Sequence, residues 1–182
     1  PFCDTKETWA LAEADCGPLE AAQGAPRKWT IISDADIALH IRRTWPDHAW
    51  VLLTGGEPAQ YDLGELVRAL HGYGYRVALE TSGTARGHVE ASVDYVCVSP
   101  KENHTGNTPI DEGAIRSANE LKFVVTTPRS VDAIRAFLSE YFPHGSLRPA
   151  IFLQPVSQSE SAARIAIAAA TAHGWRVSFQ IH

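Results

Sequence analysis

The sequence predicts an α/β fold built on a parallel sheet, and three observations carry that prediction. Six short β-rich runs recur, at 50–53 (WVLL), 76–79 (RVAL), 95–98 (YVCV), 121–125 (LKFVV), 150–153 (AIFL) and 175–179 (WRVSF). Their starts fall 26, 19, 26, 29 and 25 residues apart, the spacing of βα units in which a helix and a return loop separate successive strands. Amphipathic helical patterns fill most of the gaps.

The first helical pattern covers 34–44, with Ile37 and Ile41 on one face behind a Ser33 or Asp34 cap. The next, at 62–70, aligns Leu63, Leu66, Val67 and Leu70. Ser130 precedes VDAIRAFLSEYF, and Ser157-Gln158-Ser159-Glu160 matches a capping box ahead of an Ala/Ile-rich helix ending near His173-Gly174. The stretch 9–28, Ala/Glu/Gly-rich with Pro18 and Pro26, reads as a loop or insertion. Strands apolar on both faces and joined by helices imply a parallel sheet, either open and doubly wound or an incomplete barrel. Periodicity does not separate the two. In both, ligands bind where strands end at their C-termini. The residues to weigh are therefore Thr54-Gly55-Gly56-Glu57-Pro58, Glu80-Thr81-Ser82-Gly83, Ser99-Pro100-Lys101, Gln154-Pro155 and Gln180-Ile181-His182.

Composition narrows the function. A chain of 182 residues, 45% hydrophobic, fits one domain over 1–182. A net charge of -5 with acids and bases interspersed offers no patch to neutralise a nucleic-acid backbone, which favours a small-molecule substrate. No apolar run reaches the roughly 18 residues of a membrane span, and PFCDTKETW lacks the layout of a signal peptide, so a cytoplasmic protein is expected. Cys3, Cys16 and Cys97 are an odd set without paired spacing, which argues for a reducing compartment. Cys97, inside DYVCVSP, reads as a core thiol. The start at Pro1, the lack of any Met and the stop at His182 read as two cut ends.

Alone, Gly55-Gly56 is a tight turn for which a structural and a ligand-binding role are equally open. Pro58 removes an N–H where a phosphate-cradling helix would begin, and no G-x-G-x-x-G spacing is present, so a dinucleotide site is disfavoured. Cys3 reads as a stray thiol or a ligand, Lys101 as a solvated cation or a site residue, and His182 as a terminal residue or a contact. Gln154 ends an apolar strand ahead of Pro155, where a buried amide needs partners. The remaining histidines (His40, His48, His71, His88, His104, His144 and His173) read as surface or helix-end residues.

The whole of TGGEP, with Cys3-Asp4-Thr5 upstream, resembles radical S-adenosylmethionine (SAM) enzymes. FCDT at 2–5, LTGGEP at 53–58, ETSGT at 80–84, VSPK at 98–101, ELKFVV at 120–125, LQP at 153–155 and FQIH at 179–182 more specifically resemble the 7-carboxy-7-deazaguanine synthases. That resemblance spans nearly the whole chain. It implies a partial TIM-type barrel of about six βα units, the radical SAM core, extended by an N-terminal segment and an extreme C-terminus absent here.

The same resemblance implies a [4Fe-4S] cluster with Cys3 as the last of three thiolates, the first two belonging to the N-terminal segment absent here, with SAM as cofactor and Mg2+ on the Thr5 hydroxyl. Gly55, Gly56, Glu57, Glu80, Ser82, Ser99, Lys101 and Gln154 match SAM contacts, and Thr54 and His182 match substrate contacts. Ser82 stands where many members carry Asn, and Ile181 where many carry Thr. The implied reaction converts 6-carboxy-5,6,7,8-tetrahydropterin to 7-carboxy-7-deazaguanine with loss of ammonia, with an electron donor such as flavodoxin and a homodimeric assembly. The alternatives are another radical SAM enzyme, such as a glycyl-radical activating enzyme, and a non-catalytic SAM- or nucleotide-binding module.

Overall fold

The structure, a computed structural model, describes residues 12–24, 28–85, 93–100, 109–143 and 149–179. Six strands follow one another in one sheet in chain order: β1 (Trp50–Leu53), β2 (Arg76–Thr81), β3 (Tyr95–Val98), β4 (Glu120–Val125), β5 (Ala150–Pro155) and β6 (Arg176–Val177). The described pairings, β1–β2, β3–β4, β4–β5 and β5–β6, are parallel. An order that never reverses has no switch point, which separates this sheet from the doubly wound alternative and gives it the winding of a barrel.

One expectation is corrected: the strands are not apolar on both faces. In β4, Leu121, Phe123 and Val125 are buried while Glu120, Lys122 and Val124 are half-buried, and β2 and β5 alternate in the same way. One face is covered by helices; the other carries polar side chains.

The helices are α1 (Leu19–Ala22), α2 (Asp34–Thr44), α3 (Gly64–Gly72), α4 (Glu112–Ser117), α5 (Pro128–Tyr141) and α6 (Glu160–His173). Ser33 caps α2, its Oγ accepting the Asp36 N–H. Two caps differ from the sequence reading. α5 begins at Pro128 behind Thr127, because Pro is suited to the first helical position; Ser130 is the third residue of the helix and closes the capping box, rather than being the cap. Ser159, not Ser157, caps α6 by accepting the Ala162 N–H, and Gly174 at φ +69 closes that helix. α1 breaks the expected loop over 9–28, and α4, too short to show a period, was not expected at all.

The chain divides into two compact units, one of Pro1–Leu79 with Gly87–Asp94 and the other of Glu80–Arg86 with Tyr95–His182. In the first, Ala38, Val67, Leu70, Tyr75 and Val77 form the core, and the Tyr75 hydroxyl donates to the Trp45 carbonyl. In the second, Val98, Ile115, Leu121, Val125, Leu138 and Leu153 are fully buried, each large side chain contributing about 1.5–3 kcal/mol by leaving water. The buried side of α6 is all alanine, Ala162, Ala166, Ala169 and Ala170, which lets its backbone approach β5 closely.

Asp94 pins the edge of the first unit. Its Oδ2 accepts the Val77 N–H at 2.8 Å and lies 2.8 Å from Nε2 of His71. Those contacts, the backbone bond first and His71 second, hold its carboxyl below the usual aspartate range. A depressed folded-state pKa gives stability that is complete above about pH 4, the unfolded value, and is lost as pH falls through the lower folded value. Asp94→Asn is therefore expected to flatten the acid limb of stability. Urea unfolding from neutral pH down to pH 3 tests this: an unchanged acid slope would show that the contacts carry no linkage.

Candidate active site

In the first unit the β1 strand runs into a turn that only glycine adopts easily. Gly55 and Gly56 sit at φ +89 and +56, both in the left-handed region. Among the described residues a Cβ built on either meets nothing within 4 Å, so the requirement seen there is conformational. Glu57 follows, its Oε1 accepting the Ala59 N–H at 3.1 Å, and thereby caps a 3-10 turn, Pro58–Gln60, in which Pro58 and Ala59 are buried. Thr54 lies between strand and turn. Alanine at Gly55 is expected to cost about 1–2 kcal/mol, with the larger loss in whatever the exposed turn binds. Urea unfolding and calorimetric SAM titration of Gly55→Ala separate the two effects; a variant of native affinity would remove the turn from the site.

In the second unit the polar residues gather at the strand ends. Thr81, the last residue of β2, is buried; its hydroxyl accepts the Gly83 N–H, and its carbonyl accepts the Ser99 N–H just past β3. Ser82 Oγ and Thr84 Oγ1 lie 2.8 Å apart. Gly83, at φ +78, leaves room for Val98. Ser99 is buried behind β3, and Gln154 is half-buried near the end of β5. Glu80 is held by an ion pair with Lys122 of β4 at 2.5 Å.

Beside this pair, Glu120 accepts the Tyr95 hydroxyl at 2.9 Å and the Cys97 thiol at 3.5 Å. Burial first, then the surrounding carboxylates against the pull of Lys122, pushes the Cys97 thiol up to about 12, and burial with Glu120 pushes the Tyr95 hydroxyl to about 12. Cys97 is thus an inert core thiol, as its apolar run indicated, and not a thiolate ligand.

The sequence reading missed Lys122, Tyr95 and Glu120 as parts of this polar layer. The signal was there: in ELKFVV the acid and the base occupy alternate positions, which a strand directs to one face. Cys3, Thr5, Lys101 and His182 lie outside the described residues. Among the described residues no three His, Cys, Asp or Glu side chains gather as a metal site. No helix is long and apolar enough to cross a membrane among them. For SAM the donor chemistry fits within each unit: a glycine turn with a carboxylate, and carboxylate, hydroxyl and amide groups at strand ends suited to ammonium and ribose hydroxyls.

No family model matches the chain. Proteins named 7-carboxy-7-deazaguanine synthase do: that of Escherichia coli K12 is 33% identical over all of this chain and 81% of its own length. That of Buchnera aphidicola is 31% identical with the same coverage. The crystal structure of QueE from Escherichia coli superposes with a TM-score of 0.86 at 34% identity, covering 100% of this chain and 79% of that one. An unreversed parallel sheet with a GGEP turn behind one strand, matched at this level, makes the protein a radical SAM enzyme with a partial TIM-type barrel. Within that class, the chain belongs to the 7-carboxy-7-deazaguanine synthase family.

Proposed function

We propose that the protein converts 6-carboxy-5,6,7,8-tetrahydropterin to 7-carboxy-7-deazaguanine and ammonia, working in the cytoplasm as a single-domain subunit of a homodimer and drawing electrons from a donor such as flavodoxin. The single observation that carries this reading is the family relationship over the full chain; the positive-φ turn at Gly55-Gly56 of this chain is consistent with it. The reaction neither oxidises nor reduces the substrate overall: one ring nitrogen leaves as ammonia while the six-membered ring contracts. Reduced [4Fe-4S] cluster and SAM together supply the carbon radical that starts the rearrangement.

The protein's own part is to bind, orient and exclude water. Cys3 provides one thiolate to the cluster. The backbone of Gly55 and Gly56, with Glu57, receives the amino group of SAM; Glu57 is already held by the turn that follows it. Glu80, Ser82, Ser99, Lys101 and Gln154 hold the rest of SAM through charge and hydrogen bonds. Thr54 and His182 would contact the pterin, and the Thr5 hydroxyl would give Mg2+ a hard oxygen ligand, whose charge would offset that of the substrate carboxylate. Fixing the pterin in one orientation matters most here, because a substrate radical has competing fates.

The test is anaerobic reconstitution of the full-length protein with iron and sulfide, then incubation with a reductant, Mg2+, SAM and the carboxypterin. Equal amounts of deazapurine and ammonia are expected. SAM cleavage without deazapurine would leave the class and overturn the reaction. Activation of a protein substrate in its place would favour the glycyl-radical alternative.

A further inference from the structure

Among the described residues, the polar face of the second unit carries Lys122, a cation that no role has yet used. Lys122 lies on β4 and Glu80 on β2, with β3 between them in the sheet order. The Lys122 side chain crosses β3 to place Nζ 2.5 Å from Glu80 Oε1, with the two side chains only 18% and 30% exposed. The other carboxylate nearby is spoken for: Glu120 takes the Tyr95 hydroxyl and the Cys97 thiol. Lys122 is thereby directed to Glu80. Burial alone would lower its pKa, but the hydrogen bond and charge of Glu80 outweigh that, so the ammonium is retained.

We infer that Lys122 is a positioning residue that keeps the Glu80 carboxylate in one orientation for SAM. The inference rests on the proposed place of Glu80 in the SAM site. A carboxylate at the end of a strand has several rotamers, and one that must meet a cofactor's hydroxyl or ammonium groups binds best when it is already fixed. A lysine reaching across β3 from two strands away supplies that fixed contact.

The test titrates SAM into the anaerobic, cluster-loaded protein by calorimetry and splits the steady-state constants for SAM. Lys122→Gln is expected to weaken SAM about tenfold or more, the loss of one charge-assisted contact, with kcat at saturating SAM within about twofold of the parent. Lys122→Arg, which keeps the cation, is expected to hold affinity within about threefold of the parent. Glu80→Gln should lose as much as Lys122→Gln, and the double variant Glu80→Gln/Lys122→Gln no more than Glu80→Gln alone.

The double variant leaves no charge unpaired, so it remains informative if Lys122→Gln does not fold. Affinity lost in Glu80→Gln but kept in Lys122→Gln, or a further loss in the double variant, would overturn the inference alone. Native SAM affinity in Glu80→Gln would remove Glu80 from the site and the inference with it, while leaving the reaction assay unaffected.

Discussion

Gly83→Val is expected to destabilise the protein by about 3 kcal/mol or more, the largest stability effect of any single change considered. Two costs add. At φ +78 a β-branched residue is strained by about 1–2 kcal/mol, because its Cβ crowds the following carbonyl. The Cβ itself would stand 2.8 Å from Cγ1 of Val98 and 3.6 Å from Cγ2 of Ile110, inside a packed region that does not yield cheaply. Val98 is fully buried in the second unit and has no room to retreat. The damage should extend to the site, since Gly83 sits between Ser82 and Thr84, whose hydroxyls pair, and its N–H is bound by the Thr81 hydroxyl. Chemical unfolding measures it, with Gly83→Ala giving a smaller loss. A Gly83→Val protein as stable as the parent would mean that the turn takes another conformation.

Cys3→Ala is expected to abolish turnover while leaving the fold intact. A radical SAM cluster needs three thiolates and one open iron, so losing one thiolate removes the cluster's attachment and with it all reducing chemistry. The variant is made in the full-length protein, which supplies the other two thiolates, and neither Cys16 nor Cys97 takes the place of Cys3: the Cys97 thiol is buried and held protonated, and Cys16 lies on an exposed bridge to Trp29. Iron content and the visible absorption of the reconstituted protein report the cluster; far-ultraviolet circular dichroism reports the fold. A Cys3→Ala protein that still binds four irons and forms the deazapurine would contradict the assignment.

Much of this architecture was legible in the residues. β1 and β3 begin and end where their apolar runs do, and α2 spans the predicted residues behind Ser33. Parallel strands buried on one face give short apolar runs at regular intervals, and that rhythm survives without any tertiary information. What the runs did not convey was the second face. The apolar run LKFVV at 121–125 leaves out Glu120, and the alternation of β4 places Glu120 and Lys122 together on the polar side, where the ion pair with Glu80 satisfies the lysine's charge. An ion pair across two strands is invisible to local pattern because its partners are about 40 residues apart in sequence, as Glu80 and Lys122 are.

The caps failed for a related reason. Thr127 and Ser130, or Ser157 and Ser159, offer two plausible starts each, and the competition is decided by where the preceding strand releases the chain. The winding of the sheet, left open by periodicity, was settled by strand order. The candidate site was legible at the turn, since TGGEP ends a strand and two adjacent glycines announce a positive φ, which both adopt. The roles given to Glu80, Ser82, Ser99 and Gln154 came from resemblance, and their placement at the ends of strands is what local sequence could supply.

The most direct measurement is an anaerobic crystal structure of the reconstituted protein with SAM bound. It should place the Cys3 sulfur on an iron of a [4Fe-4S] cluster, and the amino group of SAM against the backbone of Gly55 and Gly56 beside Glu57. A cluster held without Cys3, or SAM bound away from that turn, would contradict the reading on which every other assignment depends.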